Sequence, residues 1–191
     1  MDEDEVLGII QSAQTRTRHY ADYWEWEIDR KRAERGVAQE LVQHLGISGR
    51  FDATARETPD LLFLADDGRK IGIEVAELVE MRAAAHNRHA EKKRLPHVWA
   101  IWSESTVVEA VRNRVAIKND KLAKNSDVFD EIWLAIATDE PTIDMSMAQQ
   151  ACAKVEATAA RLQRAFLLLG YHPDALKRFP SGCAVFPVSM T

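Results

Sequence analysis

Cysteine is scarce in this 191-residue chain, with Cys152 and Cys183 the only two. Two thiols are too few for a four-sulfur zinc site or a disulfide framework. Glycine and proline number eight and six, which excludes a collagen-like fibre and argues against disorder. No apolar run approaches the roughly 20 residues that a membrane helix needs. The opening Met1-Asp2-Glu3-Asp4-Glu5 is acidic, where a secretory leader would be basic and then apolar. A cytoplasmic protein with reduced thiols is therefore expected. The chain also lacks G-x-x-x-x-G-K-[ST], G-x-G-x-x-G and G-x-S-x-G, so neither a P-loop NTPase, a Rossmann cofactor domain nor a hydrolase elbow is indicated.

What is present is ordinary for a folded protein: 46% hydrophobic and 29% charged residues, with a net charge of -5. That is enough apolar surface for a sizeable core. The charge is unevenly spread. Between Arg82 and Lys124 stand ten Lys or Arg and four Asp or Glu, so this stretch carries +6 and the remainder -11. A basic stretch in an acidic chain can be a solvated helix face, or it can receive a polyanion, since phosphate neutralisation supplies most nonspecific nucleic-acid affinity.

The periodicity divides the chain at about residue 45. Tyr20, Trp24, Ile28, Val37, Leu41 and Leu45 recur at helical spacing, which predicts an N-terminal helical segment over 1–45 stopped by Gly46. Tyr20, Tyr23, Trp24 and Trp26 read as packing residues of this segment rather than a base-stacking platform. Residues 46–191 read as one α/β domain. Strands are expected over Phe51–Ala55, Asp60–Ala65 and Lys70–Val75, with Asp66-Asp67-Gly68 as a tight turn. Together they make a three-stranded antiparallel meander. A basic helix over Ala83–Arg94, a strand over Val98–Trp102 and a helix opening near Thr106 with a Thr106/Glu109 capping box follow. Glu131–Thr138 reads as a buried strand, Asp144 as the cap of a helix running to about Gln163, and Phe166–Leu169 and Cys183–Val188 as final strands. The fold class is α/β: a three-layer sandwich around a mixed sheet.

Two acids stand out. Pro59-Asp60 opens one strand of the meander, and Glu74 follows after thirteen residues, late in the next. A hairpin brings such positions side by side, and two adjacent carboxylates form a hard-oxygen site suited to Mg²⁺ or Mn²⁺. Glu74 also points away from Ile73 and Val75, so it projects from mid-sheet and needs a partner or a metal if covered. His86 and His89 share a helical face, but no third ligand accompanies them.

The helix, the Pro59-Asp60 strand opening and Glu74 in the paired strand resemble the core of the PD-(D/E)XK nuclease superfamily, over roughly residues 34 to 138. The resemblance implies a restriction-endonuclease-like fold and a Mg²⁺- or Mn²⁺-dependent nuclease that hydrolyses phosphodiester bonds. Asp60 and Glu74 match the two metal-binding acids, and Glu34 or Glu40 the helix acid, with Glu40 preferred because it is nearer the meander. The superfamily's lysine, two residues after the second acid, is here Ala76. Some members carry that lysine on the next helix, where Lys118 and Lys121 stand. Lys70 is a third candidate. Arg88, Lys92, Lys93, Arg94, Arg114 and Lys124 would contact nucleic acid, DNA before RNA. Ala76 equally suits a catalytically inactive module that binds nucleic acid or a protein partner, with the N-terminal helical segment as a docking or self-association surface.

Overall fold

The structure, a computed structural model, describes residues 30–52, 58–93, 98, 100–124, 129–170 and 183–190. Helix α1 spans Arg30–His44. It turns Val37, Ala38, Leu41 and Val42 inward at helical spacing. Gly46, at φ +66°, ends it. The Ile47 N–H bonds to Val42 O and the Gly46 N–H to Gln43 O, the pairing of a left-handed helix terminus. The aromatic group at Tyr20 to Trp26 lies outside the described residues.

Strands β1 (Gly49–Phe51), β2 (Leu61–Ala65) and β3 (Lys70–Glu77) form the expected antiparallel meander. β1 begins two residues earlier than its alternation suggested. Gly68, at φ +94°, closes the β2–β3 turn. Helix α2 covers Met81–Lys93 and α3 Glu104–Leu122. α3 carries the chain over the sheet to β4 (Glu131–Thr138), which lies parallel to β3. Helix α4 (Met145–Lys154) leads to a second parallel strand, β5 (Arg164–Leu169), and β6 (Ala184–Pro187) returns antiparallel. The sheet is mixed and six-stranded, in the order β1 to β6.

Helices cover both faces. On one, α1 packs against Phe63, Ile71, Ile73, Val75, Trp133, Ala135 and Phe166. On the other, Val107, Val111, Val115 and Leu122 of α3, with Ala148 and Cys152 of α4, pack against Ala76, Leu134, Ile136 and Leu167. β3 and β4 lie between these layers and are buried along almost their whole lengths, which is why they read as near-continuous apolar runs.

Three expectations need correction. Val98 and Ile101 are exposed and the described part of 98–102 forms no strand. It is pinned instead by Thr142, whose hydroxyl donates to Ala100 O and accepts from the Trp102 N–H. The cap of α3 is Ser103, in a capping box with Thr106, three residues before the expected Thr106/Glu109 pair. α4 starts at its Asp144 cap as expected but ends at Lys154, where Glu156 takes a positive φ of 47° that the helix cannot continue through. Among the described residues, no helix is long and apolar enough to cross a membrane.

Candidate functional site

The register of the meander places the two acids. Leu61 of β2 faces Ile73 of β3, so Asp60, one residue earlier, stands across from Glu74. The Val75 N–H donates to Asp60 Oδ2 at 2.8 Å, which fixes the carboxylate against the strand. Gly72 makes this approach possible: a Cβ there would lie 2.6 Å from Pro59 Cγ and 3.2 Å from Phe129 Cδ1.

Glu74 is fully buried on the α3 face of β3, the face it shares with Gly72 and Ala76. A carboxylate so placed costs several kcal/mol unless compensated, and α3 supplies the compensation. Val107, Val111 and Val115 form the inward stripe of that helix, and the next inward position is Lys118. Its Nζ donates to Glu74 Oε1 at 2.6 Å and to Val75 O at 2.9 Å. Val75 O belongs to the peptide that joins Val75 to Ala76, so the ammonium lies beside position 76. Lys121, three residues on, donates to the same Glu74 Oε1 at 2.8 Å and stands 3.9 Å from Asp60 Oδ1. Glu74 Oε2 is buried and has no hydrogen-bond partner among the described residues.

The electrostatics follow from this crowding. Burial, reinforced by the Glu74 charge, pushes the Asp60 carboxyl up to about 6 despite the Val75 N–H and Lys118. Burial works to lower Lys121, but its hydrogen bond to Glu74 and the two nearby carboxylates raise it above the ordinary lysine value.

Of the two α1 acids, Glu34 rather than the preferred Glu40 acts electrostatically on Asp60. It is buried on α1, and Arg30 Nε holds it at 2.8 Å. Glu40 lies off that helical face, and its charge acts on Cys183, beside the far edge strand β6. Helical phase separates the two, because Glu34 stands on the buried stripe of Val37, Ala38 and Leu41. Arg30 was missed altogether. Its charge reaches Asp60 and Glu74.

Lys70 heads β3, four residues from Glu74, and is exposed. Of the six basic residues expected to contact nucleic acid, Lys124 is exposed just past α3 and Arg114 is half-buried, its charge acting on Glu77. The Arg88, Lys92 and Lys93 side chains and all of Arg94 lie outside the described residues. His86 and His89 are exposed on α2. Among the described residues, no three His, Cys, Asp or Glu side chains are grouped to hold a metal ion. Asp60 and Glu74 are a pair, and a pair fits Mg²⁺, which keeps several waters and binds through one or two carboxylates. The buried Glu74 Oε2 fits the same ion, since a buried polar atom without a hydrogen-bond partner is costly. Comparisons with protein-family models, curated proteins and solved structures gave no match to this chain.

Proposed function

We propose that this chain is a Mg²⁺- or Mn²⁺-dependent nuclease of the PD-(D/E)XK type, with a restriction-endonuclease-like core running from α1 to β4. The observation that carries the reading is the Lys118 ammonium on Glu74 Oε1 and Val75 O. It supplies from α3 the positive charge that Ala76 withholds from β3.

Asp60 and Glu74 would hold the divalent ion, with Glu34 near the pair. A bound ion of this type orients a water and stabilises charge developing on phosphorus. The protein's own contributions are separable. Glu74, locked between sheet and helix, fixes the position of its carboxylate. Lys118, held at two points, keeps a positive charge next to the site of attack and can hold the attacking water. The basic residues of the 82–124 stretch would position nucleic acid through its phosphates, without reading sequence.

Cleavage of plasmid DNA, single-stranded DNA and RNA with Mg²⁺ or Mn²⁺ tests the reading. Asp60→Asn, Glu74→Gln and Lys118→Met are each expected to remove at least about 100-fold of the activity. Undiminished cleavage by Asp60→Asn or Glu74→Gln would end the assignment. Salt-sensitive nucleic-acid binding without cleavage in any metal would instead favour the inactive binding module, and substitution of Lys92, Lys93 and Arg94 by Ala would then weaken that binding.

A further inference from the structure

Lys118 and Lys121 reach the same oxygen but are held differently. Lys118 is anchored twice, and its side chain is 17% exposed. Lys121 bridges the two acids, at 2.8 Å from Glu74 Oε1 and 3.9 Å from Asp60 Oδ1, and is 41% exposed. It also belongs to the last turn of α3, which ends at Leu122. A long, half-exposed stem at a helix end can leave for solvent without disturbing the core. Lys118, the more buried of the two, sits deeper in the core face.

The bridging position is also where a divalent ion shared by the two carboxylates would stand. A cation there cannot share the place with the Lys121 ammonium, which stands between the carboxylates at 2.8 Å from one and 3.9 Å from the other, and the two like charges repel. We propose that Lys121 is the resting counter-ion of this site: its ammonium holds the divalent ion's place between Asp60 and Glu74 and moves out to solvent when the ion binds. This rests on the metal-site reading given above. It assigns the two lysines different jobs, one fixed beside the carboxylates and one exchanged with the metal. The displaced ammonium then lies at the mouth of the site, where a substrate phosphate would meet it.

The test is Mn²⁺ binding by calorimetry to the full chain and to Lys121→Gln, Lys121→Arg and the Lys121→Gln/Asp60→Asn double variant. Circular dichroism and thermal unfolding report whether each is folded. Lys121→Gln is expected to bind Mn²⁺ about tenfold more tightly than the unaltered chain, because the competing charge is gone. Lys121→Arg, which keeps the charge, is expected to bind within about threefold of the unaltered chain. Equal or weaker binding by folded Lys121→Gln overturns the exchange while leaving the metal site in place. Mn²⁺ affinity in the double variant equal to that of Lys121→Gln, or no binding to any of the four proteins, overturns the metal-site reading and the exchange with it.

Discussion

Lys118 donates to Glu74 across 44 positions of sequence, at 2.6 Å and on the buried side of the sheet. The contact ties α3 to the middle of β3, and it sits where the folding of the sheet and the proposed chemistry both depend on it. Burial of Glu74 is tolerable only because a helix crosses that face with a lysine at the right phase.

Lys118→Met should therefore destabilise strongly. It leaves a fully buried carboxylate with Lys121 as its remaining ion-pair partner on α3, and breaking a buried pair costs about 3–5 kcal/mol. Lys121→Gln should cost about 1 kcal/mol or less, since that side chain is partly solvated. Urea unfolding midpoints of the two variants measure the contrast, and equal losses would refute it.

Asp60→Asn is expected to stabilise the metal-free protein at pH 7.5, by about 1–3 kcal/mol. Burial and the Glu74 charge raise the Asp60 carboxyl to about 6, so its ionisation at neutral pH opposes folding. Asparagine is neutral and can still accept the Val75 N–H. A more stable variant at the expense of a proposed metal ligand is the trade-off that the proposed site would entail. A lower melting temperature than the unaltered chain in chelator would contradict this account.

Gly72→Ala should disturb the site from a distance. The new methyl would meet the Pro59 ring at 2.6 Å, and overpacking of this kind costs about 1–3 kcal/mol. Displacement of Pro59 also shifts Asp60, so thermal stability and divalent-ion affinity should fall together. A fall in stability with unchanged affinity would uncouple Gly72 from the site.

Stability should decline as pH rises from 6 to 9. Glu77 lines a pocket with Ala137, Thr138, Asp139 and Gly170. Burial, then the Asp139 charge, pushes its carboxyl up to about 8, against a partial offset from Arg114. A carboxyl raised in the folded state contributes stability that is full below its ordinary value and is lost as pH rises through 8. The melting temperature should drop by roughly 3–8 °C over this range, and Glu77→Gln should flatten the drop. A profile identical in the variant would rule out Glu77 as its source.

The meander was legible because its alternation and its Asp-Gly turn are local signals, and β4 because a central strand must be apolar on both faces. The Asp60 and Glu74 pair followed from hairpin register, and Lys118 and Lys121 only from the resemblance to a superfamily whose lysine position is Ala76 here. What sequence reasoning missed depends on phase and tertiary contact. Helical phase puts Glu34, not Glu40, on the buried face of α1. The apolar look of Val98 to Trp102 misread a segment held by the Thr142 hydroxyl. The end of α4 depended on a positive φ at a glutamate, for which no residue type in that stretch gives warning.

The central claim is that Asp60 and Glu74 together hold one divalent ion. Its most direct test is calorimetric titration of Mg²⁺ and Mn²⁺ into the full chain, Asp60→Asn and Glu74→Gln, each checked for folding by circular dichroism. The account predicts one binding event for the full chain and its loss in both variants. Binding retained in either folded variant at the affinity of the full chain would contradict it.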